Sequence, residues 1–226
     1  MSTFPSILTA GSTGFVSGLL LSIPIGPINL TIINEGARRG FRWAALIGLG
    51  ATVMEVIYCF IAFTSFAAFL ADGRVKYPME LASFVFMLYL GMKFLLAHSP
   101  QPVRVAVAAD RIEARLEQRF HPRSAFMTGL VRVMGNLGVL VWWVILAANF
   151  MWNGWVARDW PAKCACVAGV GLGTSLWFLC LSWLVSLGRG KFSEKTMLRM
   201  EHISGIVLLL LALGYGVMIL LELRQP

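Results

Sequence analysis

Apolar runs of about 20 residues recur along almost the whole chain, and they limit what it can fold into. Twenty residues of α-helix rise about 30 Å, the hydrocarbon thickness of a bilayer. Six such spans are read: Thr9–Asn34, Phe41–Ala71, Met79–Ala97, Arg123–Met151, Ala162–Leu187 and Ile203–Leu223. Some exceed what a bilayer needs, so tilt or breaks are expected. Charged residues are only 13% of the chain, against about 25% in soluble domains, and the deficit is spread too evenly to leave room for a soluble domain. The expected fold class is all-α, an integral membrane bundle of six transmembrane helices in one transmembrane domain over residues 1–226.

The net charge of +8 is a topology signal rather than a nucleic-acid signal. No basic groove interleaved with aromatic residues is present, and the Lys and Arg residues sit between apolar spans. The loops after spans one, three and five carry twelve of them, and the opposite side carries five. The positive-inside rule therefore predicts a multi-pass protein whose odd loops are cytoplasmic and whose termini both lie outside. Trp152, Trp155 and Trp160 fit an aromatic belt at the outer interface. No Lys or Arg precedes Arg38, so the first span does not read as a cleavable signal peptide. Residues 98–122 are too polar to span, and Ala109, Ile112, Leu116 and Phe120 fall at helical spacing. That segment is expected to be an amphipathic helix on the cytoplasmic surface.

The linker separates two similar halves, 9–97 and 123–223. Phe15-Val-Ser-Gly18-Leu19 recurs as Phe126-Met-Thr-Gly129-Leu130, an offset of 111. Gly48-Leu-Gly50-Ala-Thr52 recurs as Gly171-Leu-Gly173-Thr-Ser175, and Leu88-Tyr-Leu-Gly91 as Leu211-Ala-Leu-Gly214, both offset by 123. Three spans per half would make the second half enter from the opposite face. This predicts two inverted-topology repeats of three helices, an arrangement used by many secondary transporters.

The sharpest local feature is Pro24-Ile25-Gly26-Pro27, deep in span one. Each Pro lacks an N–H, so the carbonyls of Leu20 and Ile23 lose their helical donors. A discontinuous helix is predicted, with Pro27 starting the second half. The amides around Ile28 and Asn29 would then face the break and suit a carboxylate. An offset of 111 sets Gly135-Asn136-Leu137-Gly138 of span four opposite this motif as the candidate partner break. Simple kinking and close helix packing are the plainer readings of the two motifs.

Glu55 is the one acidic residue deep within a span, at a depth similar to Pro24. An ionisable group there costs roughly 2.5–3.5 kcal/mol on insertion scales and marks a functional site by default. It is a candidate to bind a substrate ammonium or to carry a coupling proton. Arg132, about 12 Å into span four by helical rise, either holds a substrate carboxylate, pairs with Glu55, or snorkels to the headgroups. The candidate substrate-binding set is Pro24, Gly26, Pro27, Asn29, Glu55, Arg132 and Asn136. Ala10, Gly14 and Gly18 form a small-residue packing stripe. No metal centre, catalytic constellation, cofactor motif or Walker-type phosphate loop is read, so the chain is not expected to be an enzyme or an ATP-driven pump.

Several of these residues carry a family resemblance. Gly18 through Pro24-Ile-Gly26-Pro27, Gly36-Ala-Arg-Arg-Gly40, Tyr89-Leu-Gly91-Met-Lys93 and the stretch from Asn136 to Trp142-Trp143 resemble the LysE/RhtB family of amino-acid exporters. Ile25 interrupts that family's Pro-Gly-Pro, and Asn136-Leu-Gly138 stands where Asn-Pro-Lys is usual. The resemblance implies a secondary transporter exporting an amino acid or similar small metabolite from a bacterial cytoplasm by proton antiport. The expected partners are that solute, a proton and the lipid bilayer, with surface glycines leaving room for a homo-oligomer. A metal-cation exporter, with Glu55 and Cys59 as ligands, and a non-transporting membrane scaffold are the alternatives.

Overall fold

The computed structural model describes residues 4–23, 26–65, 124–188 and 194–223. Within the third predicted span it describes residues 78, 81, 84, 85, 88, 89 and 91–96. Seven helices are named here: α1 (Phe4–Ser22), α2 (Pro27–Arg39), α3 (Phe41–Ser65), α4 (Ala125–Met134), α5 (Leu137–Trp152), α6 (Trp160–Gly188) and α7 (Glu194–Leu223). Residues 91–95 are also helical. The predicted amphipathic linker lies outside the described residues.

The all-helical expectation holds among the described residues. α1, α3 and α6 are each long and apolar enough to cross a bilayer, and α4 with α5 makes a fourth candidate as one span bent by 68°. Apolar side chains turned outward agree with a lipid solvent. Leu172, Leu176, Trp183 and Leu187 recur at helical spacing on one face of α6, and each is exposed. A soluble fold rarely leaves such a continuous stripe uncovered.

Two breaks divide predicted spans. Span one is α1 and α2, separated at residues 23–26; span four is α4 and α5, separated at Gly135 and Asn136. Gly138 is helical, within the first turn of α5. Helix bounds differ from the sequence reading at the ends. α1 begins at Phe4 and α7 at Glu194, earlier than the spans read from the sequence; polar residues prolong α7 once it is nucleated, whereas the added Phe4–Leu8 of α1 is mostly apolar. The corner between α2 and α3 turns on Gly40, whose φ of 84° a side chain would strain. Its amide bonds back to the Gly36 carbonyl at 2.9 Å, closing the end of α2.

Glycines set the packing. α1 lies along α6 in the same direction, with Gly14 against Cys166 and Gly18 against Val170. In return Gly173 of α6 meets the backbone between Phe15 and Leu19. α4 lies along α3 by the same device: Gly129 meets the backbone at Ile47–Ala51, and Gly50 meets it at Phe126–Leu130. A Cβ on Gly14, Gly50, Gly129 or Gly173 would overlap a neighbouring carbonyl. The stripe Ala10, Gly14, Gly18 is thus a buried packing face of α1. α3 and α6 cross antiparallel at the centre, where Gly48 meets Phe178 and Gly171 meets Val56. The described residues between 84 and 95 run antiparallel to α7: Phe84 lies beside Gly216, Gly91 beside Leu209 and Leu95 beside Gly205.

Two substitutions test this packing. Gly173→Ala should lower stability by about 1–3 kcal/mol, because the clash is with the backbone of α1, which cannot rotate aside as a side chain can. Gly214→Ala, which meets nothing within 4 Å, should stay within about 0.5 kcal/mol of the parent. Unfolding midpoints of the detergent-purified variants check both.

Candidate functional site

At the first break, α1 ends at Ser22 and leaves carbonyls without helical donors. Asn29, almost fully buried on the first turn of α2, reaches back and donates through Nδ2 to the Ser22 carbonyl at 2.8 Å. Its Oδ1 accepts from the indole N–H of Trp177 on α6 at 3.3 Å. Asn29 therefore joins the two half-helices to each other and to α6. Gly26 is the N-cap of α2 in extended backbone, with no side-chain cap, and Pro27 takes the first helical position. A Cβ on Gly26 would meet nothing within 4 Å, so the break borders open space. Pro24 lies outside the described residues.

The second break has a different solution. α4 ends at Met134, and the Tyr58 hydroxyl of α3 donates to the Met134 carbonyl at 2.7 Å. Asn136 is the half-buried N-cap of α5, again without a side-chain cap. The start of α4 is capped conventionally, the Ser124 hydroxyl accepting from the Met127 amide at 3.2 Å. Uncapped starts at α2 and α5 leave amide dipoles directed into the two breaks.

Arg132, in the last turn of α4, donates through its guanidinium to the Thr31 hydroxyl of α2, which itself bonds the Pro27 carbonyl at 2.7 Å. This link ties the arm before the second break to the half-helix after the first. Gly26, Pro27, Asn29, Thr31 and Arg132 thus form one neighbourhood, with Asn136 at the break that follows Arg132. Glu55 is half-buried on α3, on the helical face of Gly48 and Cys59, and Gly48 turns that face toward Phe178 of α6. Its carboxylate has no hydrogen-bond or ion-pair partner among the described residues. Thr52, one turn earlier, is buried and its hydroxyl is equally unpartnered. No three His, Cys, Asp or Glu side chains converge as a metal site among the described residues.

A cavity of about 700 Å³ runs along the other face of α1, from Thr9 to Ile23. Its far wall comes from α5, through Trp142, Leu146, Asn149 and Phe150, and from the start of the apolar part of α7. It ends beside the first break, and Asn29, Glu55, Arg132 and Asn136 are not in its lining. Sequence reasoning did not single out Tyr58, Trp177 or this wall. The spacing of Thr9, Ser12, Thr13 and Ser17 on one helical face was the available signal for the wall.

A model of the LysE type translocator family matches residues 19–218. The chain belongs to that family. It is accordingly a multi-pass membrane protein of a translocator family. A Bacillus subtilis (strain 168) relative that carries the name of an amino acid efflux protein, YcgF, is 25% identical over 202 residues, covering 89% of this chain and 92% of the relative. The chemotactic transduction protein ChpE of Pseudomonas aeruginosa is 23% identical over 168 residues, covering 74% of this chain and 78% of its own. No solved structure matches this LysE-family chain.

The capping roles are testable. Tyr58→Phe leaves the Met134 carbonyl unpaired and should cost about 1–3 kcal/mol. A Tyr58→Phe variant with an unchanged unfolding midpoint would show that the carbonyl has another donor.

Proposed function

We propose that this translocator is a secondary exporter of an amino acid or similar small metabolite across the bacterial inner membrane, coupled to proton antiport. Its architecture in this reading is six spans in two inverted repeats, 9–97 and 123–223, with both termini outside.

The observation that carries the proposal is the matched pair of broken spans. α1 and α4 end, and α2 and α5 begin, at places related by the offset of 111 to within a residue. Interrupted helices at corresponding positions of two halves are the strongest pointer to a transport site near the membrane midplane. The glycine contacts support the repeats. Gly18 on Val170 corresponds to Gly129 on Ile47, and Gly173 on Phe15 to Gly50 on Phe126. Each equivalence uses the offsets already present in the sequence, 111 for the broken spans and 123 for their partners. The helix directions support the span count. α3 and α4 run parallel, so the chain that leaves α3 at one face must return to the other before α4 begins.

In the mechanism, the substrate carboxylate docks in the open space at Gly26 against the uncapped amides that follow Pro27. Asn29 and the Arg132–Thr31 link position α2 for that contact, and Asn136 borders the equivalent break. Glu55, with no partner of its own, takes the coupling proton or the substrate ammonium. The two halves rock about the central α3–α6 crossing, exposing the breaks to each face in turn. The name carried by YcgF is consistent with an amino acid as cargo.

Inside-out vesicles carrying the protein, with their interior made acid, test this. Uptake of a labelled amino acid should require the pH gradient. Glu55→Gln should abolish gradient-driven uptake, at least tenfold, while leaving substrate exchange without a gradient. Gradient-driven uptake unchanged in Glu55→Gln removes Glu55 from coupling. Absence of uptake across the full amino-acid set overturns the choice of cargo.

A further inference from the structure

The cavity along α1 has a chemistry of its own. Elsewhere in the described helices, a Ser or Thr hydroxyl usually folds back onto the carbonyl four residues earlier. Ser22 bonds Gly18 at 2.7 Å, Thr64 bonds Phe60 at 2.9 Å, Thr174 bonds Val170 at 2.9 Å and Ser182 bonds Phe178 at 2.6 Å. That is the ordinary way to satisfy a hydroxyl in a medium without water.

Ser12, Thr13 and Ser17 depart from it. All three line the cavity, and none makes a hydrogen bond among the described residues. Three neighbouring donors therefore converge on one space. Opposite them stand Trp142, Leu146 and Phe150, with Asn149 as the polar residue of that wall. No charged side chain lines the cavity among the described residues. Its volume of about 700 Å³ lies within the range of about 300–1,000 Å³ usual for small-molecule sites.

We propose that this cavity is a second station on the export path, and that it takes an amino acid whose side chain is large, apolar and uncharged. The proposal rests on the exporter reading above. The solute's polar head meets the hydroxyls of Ser12, Thr13 and Ser17, and its side chain lies against Trp142, Leu146 and Phe150. A cationic or acidic side chain would meet no opposite charge there and would remain desolvated. The hydroxyls lie within α1 and before the break, although the cavity's other end reaches Ile23 beside it. Ser12, Thr13 and Ser17 precede Ser22, where α1 ends, by ten, nine and five residues, about 15, 14 and 8 Å of helical rise.

Two readouts on the full chain separate this inference from the exporter reading. The first is binding, measured as the rise in unfolding midpoint of detergent-purified protein with phenylalanine, leucine, lysine or glutamate. Phenylalanine and leucine should raise it, and lysine and glutamate should not. A Thr13→Val, Ser17→Ala double variant keeps the cavity's shape, and it should need at least tenfold more phenylalanine for the same rise. The second readout is gradient-driven uptake of the same four solutes into vesicles. Uptake of lysine or glutamate, with no stabilisation by phenylalanine or leucine, overturns the station and leaves the exporter. Stabilisation by phenylalanine that the double variant does not weaken also overturns it. Phenylalanine-dependent stabilisation lost in the variant, without uptake of any solute, keeps the binding site and overturns the exporter.

Discussion

A carbonyl left without a donor inside a bilayer cannot turn to water, and this constraint governs the two places where the fold departs from straight helices. Each departure needs a side chain to complete it. At the first break Asn29 supplies the donor to Ser22 from within the same span, and Trp177 holds that amide in place. At the second, Tyr58 supplies it from a different helix. The breaks exist because those donors are there. What the donors leave unfilled is the open space at Gly26 and the uncapped starts of α2 and α5, where the proposed solute site lies.

Around these breaks, glycines meeting backbone hold the closest helix pairs together. α1 belongs with α6 and α4 with α3, so each broken span leans on an unbroken helix from elsewhere in the chain. This arrangement pairs the helices closely as α1 with α6 and α4 with α3. α2 packs on both α3 and α6, whereas α5 packs on α3 without an extended contact along α6. The cavity opens between α1 and α5. In the proposed mechanism, this unequal packing of the segments after the two breaks lets the site face one side at a time.

Much of this was legible in the sequence, for identifiable reasons. The apolar runs gave the helical class. Pro24-Ile-Gly-Pro27 gave the first break, since two missing N–H groups leave a helix no other choice. The second break has no Pro, and only the offset of 111 pointed to Gly135 and Asn136. Small residues at 10, 14 and 18 marked the α1 face that packs on α6. What escaped was pairing over long separations. Nothing in the local sequence around Tyr58 tells that its hydroxyl meets a carbonyl at residue 134, or that Trp177 meets Asn29. Arg132 shows the same limit: its depth was readable and its partner Thr31 was not. The hydroxyl spacing of α1 was visible as well, but that these hydroxyls bond nothing on their own helix is a matter of rotamers, which sequence does not carry.

The glycine pairing also sets an order of assembly. α4 emerges to find its partner α3 already made, but α1 leans on α6, whose contact residues are synthesised about 150 positions later. At about 5–20 residues per second, that separation is roughly 8–30 s of translation. Through that interval the small-residue face of α1, and the backbone it exposes, must be sheltered by lipid or by the insertion machinery. α1 is thus made well before the helix it packs against.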